Sequence, residues 1–402
     1  MDPSAAPDAI WAASGAMALT GRADGPPLLA PPGLPLLMAA WAAEFGALTD
    51  ALGCRVDVDG PALLGERAAL AGLTRHGERS AGGATRLVRA GDGWLALALA
   101  RPDDVVAVGA WLERPVQGDD PWPVIVQAVR RLPVGPLVAR ARLLGLPCAG
   151  LGSVADATTV RATTLAGGVG DPCPSLEGVV VVDLSSLWAG PLCTDLLRRA
   201  GARVVKMESA RRPDGGRDGT AAFFDLLNGG KEAVAVDLDA PGGAAALVRW
   251  LEQADVVVES SRPRALAQLG VDAETIAAAG RARVWLSITA YGRDLPMGEW
   301  VGFGDDAAVA GGLVAWDRAG PCFCADAAAD PATGLLGALA VVRHLAGGGR
   351  WLLDVALART AAAAVAAGPA GAESSWDGAV ARPHARPVTG RAPALGEHGR
   401  EP

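Results

Sequence analysis

The chain has 402 residues, of which 50% are hydrophobic and 20% are charged, a composition typical of a globular protein large enough for two or more domains. Its formal net charge of −8 argues against a nucleic-acid partner, because phosphate binding requires a basic surface. The opening MDPSAAPDAI lacks the basic segment of a secretory signal, and no run of about 18 apolar residues predicts a membrane span. We therefore expect a cytoplasmic protein without a membrane partner.

The six cysteines are scattered along the chain and form no CxxC pair. Cys322 and Cys324 are separated by a single residue, which is closer than the usual spacing of zinc ligands. The pattern is typical of reduced thiols in a cytosolic protein and predicts no metal site.

The first part of the chain mixes helices with one clear strand, GWLALALA at 93–100. Helical stretches with Pro or Gly punctuation are predicted at 35–53, 121–132 and 135–147. The isolated strand predicts a smaller α/β unit over 60–115.

Composition also predicts the domain boundaries. Small and turn-forming residues indicate a linker over 153–175, and the polar, Pro-rich, aperiodic stretch 371–402 is typical of a disordered tail. The chain is therefore divided into an N-terminal region, 1–152, and a second region, 176–370.

The second region alternates strands with helices. Strand-forming stretches are predicted at 178–187, 202–208, 232–239, 255–261 and 281–292. Helical segments lie between them, for example 190–201 and 241–254, and this alternation predicts right-handed βαβ units in a mostly parallel, Rossmann-like sheet. Such sheets bind ligands at the carboxyl ends of their strands, which here carry Ser185, Ser186, Glu208, Ser260, Arg262 and Tyr291.

A dinucleotide site is one alternative for such a sheet, since Glu208 stands about where a ribose-binding acid is expected. The first turn, however, reads DLSSLWAGP and has one glycine where GxGxxG needs three. No P-loop motif is present, and NGGK at 228–231 is more typical of a turn that leads into a strand. These residues disfavour a nucleotide-phosphate loop.

The stretch VVVVDLSSLWAGPLCTDLLRRAGARVVKME, residues 179–208, closely resembles the opening of the class III CoA-transferases, the CaiB/BaiF family. Four later stretches resemble further motifs of the family in matching order and spacing: NGGKEAVAVDLDAPGG, ADVVVESSRPRALAQLGVD, LSITAYG and ADPATGLLGALAVVRHLAGGG. The resemblance covers about 176–365. It implies a Rossmann-like domain, a smaller second α/β domain and the interlocked dimer of that family.

The N-terminal region resembles the second half of the same family. The stretches that carry this likeness are WAASGAMALTGRADGPP, AGDGWLALALARPDDVVAV and LVARARLLGLPCAGLGSVADA. The two halves therefore follow each other in permuted order, either by circular permutation or as the middle of a tandem pair. An internal repeat supports this, because residues 12–26 echo 309–321. The helices near 36–52 and 333–346 are then expected to occupy equivalent positions.

Asp330 aligns with the catalytic aspartate of the family. The resemblance implies that this carboxylate attacks an acyl-CoA, forms a mixed anhydride, then carries CoA as an aspartyl thioester and passes it to a carboxylic acid. CoA is thus a substrate, and no permanently bound cofactor is expected. An Asp before Pro331 is also an ordinary helix N-cap, and the motif alone leaves that alternative open. Asp326 has no counterpart in the family and is interpreted as a loop residue.

The resemblance also implies a set of CoA contacts. These are Trp188, Ala189, Asp237, Leu238, Ser260, Arg262, Tyr291 and Gly292. Some depart from the family pattern: Trp188 and Ser260 replace its usual residues, and Gln268 replaces a frequent Arg. Loss of an Arg beside a phosphate removes a charge-assisted hydrogen bond of roughly 1.5–3 kcal/mol.

Two other functions are kept as alternatives to CoA transfer. An acyl-CoA racemase or epimerase of this fold pairs the aspartate with a His on the preceding loop, but residues 301–312 contain Phe303 and no His, and His344 follows only in the next helix. A non-catalytic homologue that binds CoA or stabilises a partner is the other alternative. The expected assembly is a homodimer or a heterodimer with an intact family member.

Overall fold

The computed structural model describes residues 6–116, 118–165, 170–368 and 376–399. The α-helices are α1 Pro7–Ala13, α2 Gly33–Ala51, α3 Glu66–Ala71, α4 Pro102–Leu112, α5 Trp122–Val129, α6 Val134–Leu143, α7 Ala189–Arg199, α8 Ala221–Asn228, α9 Gly243–Gln253, α10 Pro263–Ala267, α11 Ala273–Ala279, α12 Gly304–Ala310, α13 Ala329–Gly347 and α14 Leu357–Ala366. The strands are β1 Thr85–Arg89, β2 Trp94–Ala98, β3 Cys148–Gly150, β4 Arg161–Thr164, β5 Val180–Asp183, β6 Arg203–Ser209, β7 Glu232–Val236, β8 Val256–Glu259, β9 Val284–Thr289, β10 Val314–Asp317, β11 Gly320–Phe323 and β12 Trp351–Ala356. Within these ranges, no helix has both the length and the hydrophobicity needed to cross a bilayer.

The largest sheet has seven strands in the order β4-β12-β9-β8-β5-β6-β7. All its neighbours pair in parallel except β4, which runs antiparallel to β12. The five strands predicted from the sequence form one contiguous block, because their buried Val-rich runs suit a sheet covered by helices on both faces. The predicted α/β class and mostly parallel sheet are confirmed.

The other two strands of this sheet were not predicted. Strand β4 reads RATT and lies inside the proposed linker, with side chains that are mostly exposed. It is held through its backbone pairing with β12, so its sequence carries little of the apolar alternation typical of a strand. The linker interpretation is wrong for residues 161–164, and residues 166–169 of that stretch lie outside the described residues.

The smaller α/β unit is a three-stranded antiparallel sheet, β1-β2-β3, whose core joins the sheet to α4, α5 and α6. Leu95, Trp111 and Ile125 are fully buried there. This unit spans 85–150 rather than the predicted 60–115, because Leu63 and Leu64 pack into the main core of the molecule.

The beginning of the N-terminal region shares the core of the second region. Helix α2 packs against α13 and α14, and its Met38 and Phe45 lie in the same buried cluster as Leu335 of α13. Helix α13 in turn packs closely on α7, where a Cβ at Gly334 would lie 2.6 Å from the carbonyl oxygen of Ala189. The backbones of α13 and α7 therefore approach each other closely at Gly334.

Residues 376–399 contain no helix or strand, yet they pack against the body of the protein. The Arg386 guanidinium bonds to Glu66 (Nε to Oε1, 2.6 Å) and to Asp195 (Nη1 to Oδ2, 3.0 Å). The Ala392 amide donates to Asp225 Oδ1 at 2.8 Å. The prediction of a disordered tail is wrong for this stretch, since composition does not show which single residues form buried ion pairs. Residues 371–375 and 400–402 lie outside the described residues.

Candidate active site

A cavity of about 430 Å³ lies at the carboxyl ends of β5, β8 and β9, beside the start of α13. Its lining includes Leu184, Ser186, Leu187, Ala189, Gly190, Ser260, Ser261, Arg262, Ile288, Thr289, Ala290 and Asp330. The cavity therefore occupies the edge at which parallel sheets bind ligands. It brings together five of the residues singled out from the sequence: Ser186, Ala189, Ser260, Arg262 and Asp330.

Asp330 is the second residue of α13 and not its N-cap. The helix begins at Ala329, the N-cap is Ala328, and no side chain caps the helix. The N-cap alternative is therefore wrong. Among the described residues, the Asp330 carboxylate has no hydrogen-bond partner. It lines the cavity at the positive end of a 19-residue helix, where an anion is stabilised.

The charge of Asp330 is set by its surroundings. Burial raises the pKa of its carboxyl to about 7; Asp305 and Asp326 add to that effect, and the nearby Arg67 guanidinium opposes it. A substantial fraction of Asp330 is therefore ionised at neutral pH, and the carboxylate is more basic than that of an exposed aspartate.

The loop before α13 is held by an ion pair between Arg67 and Asp326. Arg67 Nε donates to Asp326 Oδ2 at 2.7 Å, and its Nη2 donates to the other carboxylate oxygen. Ala325 and Ala327, on either side of Asp326, have φ angles of 55° and 45°, a left-handed conformation unfavourable for alanine. The ion pair offsets this strain and fixes the loop that leads to Asp330. Asp326 is thus a loop residue, as predicted, with a structural role.

Two further buried acids hold the other side of the site. Asp306 Oδ1 accepts the Phe303 amide at 2.7 Å, and its Oδ2 accepts the Tyr291 hydroxyl at 3.0 Å. Asp305 Oδ1 accepts the Ala327 amide at 3.1 Å. Burial raises the pKa of Asp306 to about 7, although the bonds from Phe303 and Tyr291 oppose the increase.

Gly304 lies directly against the candidate nucleophile. A Cβ built on this glycine would overlap with Asp330 Oδ2 and would lie 2.7 Å from the Ala327 carbonyl oxygen. The position therefore has room only for glycine while Asp330 keeps its present orientation.

Arg67, Asp305 and Asp306 were missed at the sequence level. Arg67 is 259 residues from its partner Asp326, and nothing in its neighbourhood marks it. The adjacent acids of the stretch VGFGDD were the sequence feature that could have pointed to Asp305 and Asp306. Two neighbouring carboxylates beside a glycine are unusual in so apolar a segment.

Several predicted CoA contacts do not line the cavity. Trp188 is buried, edge-on to Phe223 at 5.0 Å between ring centroids. Asp237 follows β7, the edge strand, and pairs with Arg211 at 3.2 Å. Leu238 packs into the core beside that strand.

The predicted contacts Tyr291 and Gly292 support the wall of the cavity from behind. Tyr291 is buried and lies edge-on to Trp300 at 5.6 Å. Gly292 has a φ of 112° and its amide donates to Thr289 Oγ1 at 2.8 Å. This glycine makes the turn after β9.

The acid considered for ribose binding has another role. Glu208 accepts the Asp214 amide at 2.8 Å and pairs with Arg217. The dinucleotide alternative therefore loses its candidate ribose ligand.

The lysine of NGGK lies in a buried polar network beneath the cavity. Lys231 Nζ bonds to Asp183 Oδ2 at 3.1 Å and to Thr194 Oγ1 at 2.7 Å. Burial raises the pKa of Asp183, but the ammonium groups of Lys231 and Lys206 outweigh that effect and lower it to about 2. The stretch is a turn that leads into β7, as its sequence predicted.

Comparisons with known proteins relate the chain to CoA-transferases. A sequence model of CoA-transferase family III matches residues 176–395, just over half of the chain. The succinate–glutarate CoA-transferase of Agrobacterium fabrum is 31% identical over 146 residues, which are 32% of this chain and 36% of that protein. The succinyl-CoA:glutarate CoA-transferase of Mus musculus is 31% identical over 154 residues, 36% of this chain and 35% of that protein. A CaiB/BaiF family crystal structure from Brucella suis aligns at 28% identity over 50% of this chain and 55% of that one, with a TM-score of 0.43.

The chain belongs to CoA-transferase family III. It spans about a third of the length of the curated relatives given above, 36% and 35%. The family model covers the stretch, about 176–365, that carries the resemblance noted in the sequence.

Proposed function

We propose that this protein transfers CoA from an acyl-CoA to a carboxylic acid and that Asp330 is the nucleophile. One observation carries the proposal: a carboxylate with no hydrogen-bond partner among the described residues lines a cavity at the carboxyl ends of parallel strands. Membership of the family supports it, as do the CoA-transferase names of the relatives.

The first half of the reaction requires the ionised form of Asp330. Its carboxylate oxygen attacks the thioester carbonyl carbon, the C–S bond breaks, and CoA leaves as a thiolate, so that a mixed anhydride is formed. The thiolate then attacks the aspartyl carbonyl carbon of the anhydride, and the donor acid leaves as a carboxylate. Asp330 now carries CoA as a thioester, and the covalent step divides one difficult exchange into two easier ones.

The second half reverses these steps with the incoming acid. The acceptor carboxylate attacks the aspartyl thioester and releases the CoA thiolate. That thiolate attacks the acceptor carbonyl of the new anhydride, and Asp330 leaves as a free carboxylate. No proton is consumed and no atom is oxidised or reduced in the cycle.

The surrounding residues suit this chemistry. The amino end of α13 stabilises negative charge that develops at Asp330, and Arg67 adds a fixed cation nearby. Ala189, Ser260 and Arg262 are the predicted contacts that remain candidates to hold CoA, since they share the cavity with Asp330.

The racemase alternative gains less support. His344 packs edge-on against Trp351 at 5.1 Å, and its Nδ1 lies 2.8 Å from the Ala340 carbonyl oxygen. It is not among the residues that line the cavity, and the loop at 301–312 has no His to take its place.

Trapping the covalent intermediate tests the proposal. Incubation with an acyl-CoA and hydroxylamine should convert Asp330 to a hydroxamate, which mass spectrometry of the digested protein detects. Absence of both trapping and transfer across a panel of acyl-CoA donors would instead favour the non-catalytic homologue.

Light scattering of the purified chain, alone and with an intact family member, distinguishes the homodimer from the heterodimer that the resemblance implies.

A further inference from the structure

One wall of the cavity at Asp330 begins at the candidate nucleophile itself. Gly304 lies against the Asp330 carboxylate, and the two residues before it, Gly302 and Phe303, line the cavity. A Cβ built on Gly302 would lie 2.8 Å from the Cβ of Ala290, which follows β9. This wall therefore runs from the Asp330 carboxylate to the carboxyl end of β9.

The wall continues to β12, the strand next to β9 in the sheet. The Ala290 carbonyl oxygen accepts the Ala358 amide at 3.0 Å. Leu357, the residue before Ala358 and the first of α14, lines the cavity together with Ala290. The four cavity residues Ala290, Gly302, Phe303 and Leu357 thus form an apolar wall, and none of their side chains carries a polar atom.

Three arginines line the same cavity, and each is either on its other side or already paired. Arg262 follows β8 and Arg212 follows β6, whereas the apolar wall follows β9 and β12, on the opposite side of β8 from β6. The Arg101 guanidinium carbon lies 5.9 Å from the Phe303 ring centroid, but this side chain pairs with Asp104 at 2.5 Å. A ligand group on the apolar wall therefore meets no cation of this lining that is free to pair with it.

The charges around Asp330 also disfavour a second anion at this place. Besides burial, which has the largest effect, repulsion from Asp305, Asp326 and Asp306 raises the pKa of Asp330, and the Arg67 guanidinium lowers it. Arg67 is itself paired with Asp326. A further carboxylate beside Asp330 would be repelled by these acids and would lose its hydration without gaining a cation.

We infer that the apolar wall receives the acyl chain of the substrate, and that the exchanged acids are monocarboxylic acids with a hydrocarbon chain rather than dicarboxylic acids. An alkyl chain gains free energy when it leaves water for such a surface, whereas an unpaired carboxylate loses it. The placement of the chain rests on the proposed function, because attack by Asp330 requires the thioester carbonyl to lie at its carboxylate.

Two thioether analogues test the apolar wall without turnover. S-butyl-CoA and S-(3-carboxypropyl)-CoA have chains of equal length that end in a methyl group or a carboxylate, and neither has a carbonyl group beside its sulfur for Asp330 to attack. In calorimetric titrations of the full chain, the butyl compound should bind about tenfold more tightly or better. Equal affinities, tighter binding of the carboxylate or no binding of either analogue would overturn the inference.

Phe303→Arg places a cation on the apolar wall and should abolish or reverse this preference. The hydrogen bond from position 303 to Asp306 comes from the backbone amide, so the substitution leaves it available. Leu395→Arg is the matched control, because it adds the same charge at an exposed residue outside the cavity, and it should keep the ratio of affinities of the parent. A Phe303→Arg variant with the ratio of the parent would contradict the placement of the chain.

Transfer assays separate this inference from the proposed function, with butyryl-CoA and succinyl-CoA as donors. A protein that prefers the butyl analogue but transfers CoA from neither donor would refute the proposed function and leave the apolar wall as a binding surface. A protein that transfers CoA from succinyl-CoA as fast as from butyryl-CoA would keep the function and overturn the inference.

Discussion

The groups around Asp330 hold the pKa of its carboxyl close to neutral pH, so that both the neutral and the ionised form are populated. Burial and the neighbouring Asp305 and Asp326 favour the neutral form, while Arg67 favours the ionised one. The result is a pKa of about 7, at which the carboxylate is both available and unusually basic.

The rate of CoA transfer should increase as the pH rises through the pKa of Asp330. If the ionised carboxylate of Asp330 is the nucleophile, as we propose, the rate should rise about tenfold per pH unit below pH 7 and level off above it. Asp305→Asn removes one negative neighbour, lowers the pKa of Asp330 and moves the rise to lower pH. Rate profiles of the parent and the variant check this, with Asp239→Asn at an exposed acid as control. A profile that Asp305→Asn leaves in place would contradict the assignment.

Gly304→Ala should disable the site by a steric effect. The added methyl overlaps with the Asp330 carboxylate, so the nucleophile must turn away, and a displacement of about 1 Å at a reacting group costs on the order of a hundredfold in rate. Gly135→Ala is the matched control, since its added Cβ meets no atom within 4 Å. Equal transfer rates for the two variants would show that Asp330 does not need its present position.

At the scale of elements, α13 connects the two halves of the chain. It packs on α7 and β9 from one half and on α2 from the other. Helices α2 and α13 are both 19 residues long, and the segments before them repeat in sequence. The elements before them differ, however: a 3-10 turn at Met17–Leu19 precedes α2, and the hairpin β10-β11 precedes α13.

The equivalence of α2 and α13 stays a prediction. If the chain is a permuted family member, the backbone from α1 to α2 should superpose on that from α12 to α13 in a crystal structure, with the hairpin as an insertion. Failure of the two helices to occupy equivalent positions would exclude the internal repeat as a structural one.

The elements also show what a sequence can predict. Five strands of the main sheet were predictable because runs such as VVVD in β5 and VVVE in β8 are buried on both faces. Strand β4 was not, since RATT at a sheet edge needs only backbone pairing. Several motifs in register pointed to Asp330, whereas Arg67, which pairs with Asp326 in the loop before α13, comes from a distant segment without any local pattern.

At the scale of the whole molecule, the C-terminal stretch 376–399 joins the two halves of the chain through ion pairs. Arg386 lies between Glu66 of the N-terminal region and Asp195 of α7. Both carboxylates are buried, with 1% and 2% of their surface exposed. The order of the halves along the chain is thus compatible with one shared core.

Arg386→Ala should destabilise the fold substantially. It leaves the buried Glu66 carboxylate without its cation, and breaking a buried pair costs about 3–5 kcal/mol. Urea denaturation gives the free energy of unfolding. Arg391→Ala is the control, because Arg391 has 77% of its side chain exposed and pairs with Glu397 only at 3.8 Å; it should change stability by less than about 0.5 kcal/mol. Equal effects would mean that the tail does not fasten the two halves.

The most direct test of the account is the rate of CoA transfer by Asp330→Asn. Asparagine has nearly the shape of aspartate, and position 330 caps nothing, so the melting temperature should match that of the parent. The amide is a very poor nucleophile and cannot form the anhydride or the aspartyl thioester. We predict that the parent converts an acyl-CoA and a carboxylic acid into the exchanged pair, measured by chromatography of the CoA esters, and that the variant shows only background exchange. Transfer by Asp330→Asn at the rate of the parent, or no transfer by the parent with any acyl-CoA donor, would contradict the account.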